Sequence, residues 1–224
     1  MSNIRWYDLS HDFEPNMPVP DWPGEKRQEF ELISYRVSVN SGTQNNLSMN
    51  LHCGTHVDAP SHYVHGGKSI DEVAFDYLMG ETIVIDVEKQ ELQSVTLSDI
   101  LPFEKKMEGK KMVFLRTGWE TKWKTKDYES KYPYLAPEVG EYFARKRIHA
   151  IGIDTPGPDA PIRSGQRKGD PLHINLLSNE VLIIENLTNL KNVIGRDLYV
   201  YAFPLKIRGA TGSPLRVLAR DDRV

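Results

Sequence analysis

Hydrophobic residues in this chain gather into short runs. Residues 82–87 read TIVIDV, 111–117 KMVFLRT, 149–154 HAIGID, 181–186 VLIIEN and 199–207 YVYAFPLKI. Apolar runs this short, several of them β-branched, predict buried strands. Residues 27–40 (RQEFELISYRVSVN) alternate between apolar and polar and predict one more. Between the runs the period changes. Residues 96–101 (TLSDIL) put a capping residue ahead of helical apolar spacing. Pro137 opens PEVGEYFARKR, a helix with proline in its first turn and basic residues at its end. Strands interleaved with helices predict an α/β or α+β domain around a mixed sheet.

Two stretches break the pattern. Residues 14–24 (EPNMPVPDWPG) and 154–171 (DTPGPDAPIRSGQRKGDP) are rich in proline and glycine, which end regular structure. Their length marks them as functional loops rather than domain boundaries. One domain over residues 1–224 is therefore expected. With 39% hydrophobic and 26% charged residues, composition is that of an ordinary soluble protein. A net charge of −3 argues against nucleic acid or acidic membranes as partners. Apolar runs fall short of the roughly 18 residues of a membrane span. The N-terminal stretch carries acidic residues and prolines where a secretory signal has an apolar core. Cys53 is the single cysteine, so no internal disulfide forms and a cytoplasmic location is the default expectation.

Candidate chemistry is concentrated in residues 52–62, HCGTHVDAPSH. Three histidines and an aspartate fall within eleven residues, and such ligands suit zinc, manganese and similar divalent ions. His52 and His56 would share one face of a helix, but Gly54, Thr55, Val57 and Pro60 disfavour one. In an extended chain positions 52, 56, 58 and 62 share one parity. A straight strand would still hold His52 and His56 roughly 13 Å apart. The chain must bend between them, and Gly54 permits it. The stretch is thus expected to be a strand end entering a tight loop, its side chains converging on a metal.

Two further candidates lie downstream. His173 follows the second glycine-rich loop, and Glu185 ends the run VLIIE. A carboxylate at the end of a buried strand is costly unless paired, and a metal would pair it. Asp154 also ends an apolar run, and a structural role is expected for it. His11, His65 and His149 have no comparable support. Cys53 is read as a small packing residue rather than a thiol nucleophile.

The pattern His52-X-Gly-Thr-His56-X-Asp58-X-Pro-X-His62, with Ser48 before it, resembles the signature of the cyclase-like metal-dependent hydrolases. Kynurenine formamidases (arylformamidases) and isatin hydrolases belong to that family. Gly152–Pro156, Leu172-His173 with Glu185-Asn186-Leu187, Pro204–Ile207 and Gly212–Val217 match its later segments in order. The resemblance implies a swivelling β/α/β fold with a mixed central sheet. It implies His52, His56 and Asp58 on a first metal and His173 on a second, with Asp58 and Glu185 as shared carboxylates. His62 would be the general acid/base and Trp22 would line the substrate pocket. Isatin hydrolases are expected to carry glutamine where Glu185 stands, so the carboxylate favours two ions, zinc first and manganese second.

The implied activity is hydrolysis of a small amide, with N-formylkynurenine as the leading substrate. Opening of a cyclic amide or lactone is the alternative. A dehydrating or cyclising reaction on the same metal is a third, and a non-catalytic metal-binding module is the alternative of another class. The resemblance further implies a homodimer or higher homo-oligomer.

Overall fold

The computed structural model describes residues 4–222 except 21, 25 and 27. Its strands are β1 (Arg5–Asp8), β2 (Glu31–Arg36), β3 (Thr43–Ser48), β4 (His56–Asp58), β5 (Met79–Asp86), β6 (Ser94–Val95), β7 (Met112–Arg116), β8 (Tyr134–Leu135), β9 (Ala150–Ile153), β10 (Leu182–Glu185), β11 (Asp197–Pro204) and β12 (Gly212–Asp221). Its α-helices are α1 (Leu97–Ile100), α2 (Glu104–Met107), α3 (Pro137–Lys146) and α4 (Pro171–Ser178).

The main sheet is mixed, in the order β1-β12-β11-β5-β7-β9-β10-β4. Neighbours β5, β7, β9 and β10 run parallel. Because β4 pairs with both β10 and β12, the sheet closes on itself like a barrel. Closure explains why the central runs are apolar throughout. Val84, Phe114 and Ile184 face an enclosed core shared with Val57, Val200 and Val217. Their neighbours Ile83, Val113, Leu115, Ile151 and Ile183 face outward, against Val139 and Phe143 of α3 and Leu176 of α4. A strand covered on both sides has no polar face to alternate with.

The expected α/β architecture and mixed sheet are found, with three adjustments. The run at 27–40 holds the expected strand, but only over Glu31–Arg36; this β2 pairs antiparallel with β3, which lies beyond the run; residue 27 lies outside the described residues. The order within 52–62 is also the reverse of the expectation. A loop carries His52, then β4 carries His56 and Asp58, then a 3₁₀ turn covers Pro60–His62. The third is α4, which the pattern of apolar residues did not announce: Pro171 ends the second glycine-rich loop and opens the helix.

Candidate metal centre

Register assembles the centre. Strand β10 pairs with β4 so that Glu185 lies opposite His56, and Ile183 opposite Asp58. Val57 and Ile184 point into the enclosed core, so His56, Asp58 and Glu185 project to the helix-covered side. There the first turn of α4 supplies His173. The bend sits where expected: Gly54 has φ +62°, and a Cβ on it would lie 2.6 Å from the Phe13 ring. His52 packs against Gly212 so closely that a Cβ there would come within 2.6 Å of its Cε1. Five sequence candidates are thereby brought together, and His62 stacks on His52 at 3.9 Å between ring centroids.

Distances fit a cation. His56 Nε2 is 3.4 Å from Asp58 Oδ1 and 3.3 Å from Glu185 Oε2. His173 Nε2 is 3.5 Å from Asp58 Oδ2 and 3.2 Å from Glu185 Oε1. Charge-assisted N–H···O bonds are shorter, about 2.7–2.9 Å. Ligand atoms held ~2.0–2.1 Å from a tetrahedral ion stand about 3.3–3.4 Å apart. Glu185 Oε1 is buried and makes no hydrogen bond among the described residues, although His173 Nε2 is near. Such an orphaned oxygen suits a metal better than a proton-sharing pair.

The outward nitrogens of the same imidazoles are tied down. His56 Nδ1 meets the Gly54 carbonyl at 2.9 Å, and His173 Nδ1 meets Asp159 Oδ2 at 2.6 Å. Both arrangements leave Nε2 facing the carboxylates, as orienting partners of metal-binding histidines do. His52 differs, with Nδ1 2.6 Å from Asp58 Oδ1 and Nε2 2.8 Å from Thr211 Oγ1. Asp159 and Thr211 were not legible beforehand; neither ends an apolar run nor belongs to a histidine cluster.

Electrostatics follow from burial. Burial alone would lower the pKa of His56, but the facing carboxylates of Asp58 and Glu185 outweigh it and raise it to about 10. His173 is raised well above the imidazole range, with Asp159, Asp58 and Glu185 overcoming its burial. Asp58 is driven well below the carboxylate range despite its burial, by the charge of His52 and hydrogen bonds from the surrounding imidazoles. The cluster thus draws positive charge, which protons or a metal can supply. His62 goes the other way: burial pushes it down to about 4, so its imidazole is neutral at pH 7.

The centre opens into a cavity of about 830 Å³. Trp22, Tyr63 and Tyr132 line it, and Arg167 stacks on Trp22 with its guanidinium carbon 5.0 Å from the ring centroid. The two proline- and glycine-rich loops therefore meet over the centre. Cys53 turns away, packing with Met17, Val19 and Phe30, and burial pushes its thiol up to about 12. Asp154 has the expected structural role, accepting from Thr117 N, Thr117 Oγ1 and Gly118 N. His65 is exposed, and His149 stacks on Tyr77 away from the cluster.

Known proteins are similar to this chain in sequence and fold. The family model "Cyclase" matches residues 7–160. Kynurenine formamidase of Bacillus anthracis is 29% identical over 220 residues, covering 98% of this chain and 99% of its own. Isatin hydrolase A from Ralstonia solanacearum superimposes with a TM-score of 0.85 at 27% identity, covering 98% of this chain and 92% of its own. A potential metal-dependent hydrolase with cyclase activity reaches 0.78 at 27% identity, covering 97% and 98%. A family match over more than half the chain, together with a shared fold, establishes the kinship: this chain belongs to the cyclase family and is an enzyme of the hydrolase type.

Proposed function

We propose that this protein hydrolyses the C–N bond of a small aryl amide, with an aryl formamide such as N-formylkynurenine as the leading substrate and kynurenine and formate as products. One observation carries the reading. Two buried carboxylates and two imidazoles face one another at cation-fitting distances in the floor of an aromatic-lined cavity. His52, His56 and Asp58 would hold a first divalent ion and His173 a second, with Asp58 and Glu185 serving both. Zinc is the first choice and manganese the second. When bound, such ions make water acidic enough to supply hydroxide near neutral pH.

The chain's own residues do the rest. Trp22 offers a flat apolar face to the substrate ring. His62, neutral at pH 7 and stacked on His52, accepts a proton from the attacking water and returns it to the departing nitrogen. The likeness to isatin hydrolase A supports a second reading, in which the scissile amide is part of a ring. Formate release from N-formylkynurenine by zinc-loaded protein supports the first, and ring opening without formate the second. Absence of formate release at every metal loading removes N-formylkynurenine as the substrate. His62→Ala is expected to lower kcat/KM about 10²- to 10⁴-fold with metal content unchanged.

Self-association belongs to the same proposal. The β2–β3 hairpin exposes Leu32, Ile33, Tyr35 and Leu47, and its connection exposes Val37 and Val39. A two-stranded hairpin is marginal alone in water, and apolar surface of this kind marks an interaction site. A second copy of the chain is the occupant that buries both hairpins at once. Sedimentation should give twice the 25.6 kDa chain mass, and Leu32→Lys with Ile33→Glu should return it to monomer.

A further inference from the structure

Glu185 is followed by Asn186, a buried residue in the left-handed region at φ +56°. Its side chain and backbone join three parts of the centre. Asn186 Nδ2 donates to the Gly54 carbonyl at 2.9 Å, the carbonyl that also meets His56 Nδ1 at 2.9 Å. The hydroxyl of Tyr128, wholly buried, donates to Asn186 Oδ1 at 2.8 Å. Thr55 Oγ1 donates to the Asn186 carbonyl at 2.6 Å, and the Asn186 amide donates to the Thr155 carbonyl at 3.0 Å. The Gly54 carbonyl settles the orientation of the amide. It can only accept, so Nδ2 must face it, and Oδ1 is left to accept from Tyr128.

We infer that Asn186 is a positioning residue for His56. It anchors the Gly54 carbonyl at the bend, and that carbonyl holds His56 Nδ1 as the protonated nitrogen and leaves Nε2 for the metal. Tyr128 stands behind Asn186 and sits in the loop whose residues 124–126 line the cavity. The cavity wall is thereby tied to the ligand through three hydrogen bonds: Tyr128 to Asn186, Asn186 to Gly54 and His56 to Gly54. Other reasons for an asparagine here are separable. The backbone needs a residue that tolerates positive φ, which glycine meets as well. An aspartate keeps the shape and the acceptor for Tyr128 but sets an oxygen against the Gly54 carbonyl.

The inference rests on the metal-centre reading, and zinc titration against a chromophoric chelator tests the two apart. A wild-type chain that binds no zinc overturns the metal centre itself. If wild type binds zinc, Asn186→Gly and Asn186→Asp should each weaken it about 10- to 100-fold, the range for partners of metal ligands. Tyr128→Phe, which removes only the distal donor, should weaken it less and in the same direction. In zinc-loaded wild type, NMR of the ring nitrogens should show a protected His56 Nδ1–H that both Asn186 variants lose. Zinc affinity and His56 signals like wild type, in variants that merely melt earlier, would reduce Asn186 to a structural residue. Should the Asn186 variants fail to fold, Tyr128→Phe decides: unchanged affinity and unchanged His56 signals overturn the proposal.

Discussion

At the scale of residues, the centre depends on side chains that are absent as much as on those present. Gly54 and Gly212 each leave room that a methyl group would fill, one beside Phe13 and one beside His52. Only the first also needs left-handed backbone. Gly54→Ala is expected to cost about 2 kcal/mol or more, combining roughly 1–2 kcal/mol of left-handed strain with displacement of Phe13. The urea midpoint should fall accordingly. A wild-type midpoint would mean that the bend can be made without glycine. The histidine cluster itself was legible in the sequence because four ligand-type residues sit within eleven positions. Thr211 and Asp159 were not, because a hydrogen bond across more than a dozen residues leaves no local mark.

At the scale of elements, α4 shows how a short helix is aimed. Asp159 accepts from Leu172 N at 3.0 Å and His173 N at 3.1 Å, and its Oδ2 also meets His173 Nδ1. One buried carboxylate thus serves the unpaired amides of the helix start and the imidazole in the same turn. Asp159→Ala should cost about 1–3 kcal/mol of stability, since it leaves buried donors without an acceptor. It should also weaken zinc binding, measured on the same protein by melting and by chelator competition. Loss of stability with unchanged zinc affinity would confine Asp159 to capping. The central strands and helix α3 were anticipated. Five runs became strands near the expected bounds; in β5, β7, β9 and β10 burial on both faces writes a nearly continuous apolar run, whereas β11 alternates. Strand β4, three residues long, fell after the bend instead of before it, and β12 escaped notice because it interleaves Arg216 and Arg220 with Leu215, Val217 and Ala219.

For the whole molecule, acid stability is set partly away from the centre. His11 stacks on Trp123 at 3.8 Å, and burial lowers its pKa to about 4. The unfolded chain takes up that proton near pH 6.5, so below 6.5 the unfolded state binds more protons than the folded one. Stability is therefore lost as pH falls from about 6.5 to about 4, by no more than about 3–4 kcal/mol from this residue. His11→Gln should show a smaller drop in melting temperature between pH 7 and pH 4.5. An unchanged drop would place the acid sensitivity elsewhere. His62, lowered similarly, keeps the variant from becoming flat.

Local sequence was enough to show which atoms could bind a cation, where the chain had to bend, and that strands and helices alternate around a mixed sheet. Those properties are local, being donor type, backbone freedom and periodicity. Only the tertiary structure decided that the sheet closes through β4, that Glu185 falls opposite His56, and that α4 turns His173 toward both carboxylates. Strand register and helix placement are set by packing between residues far apart in the chain. A cluster that reads as half a site in the sequence is completed from residues more than a hundred positions away.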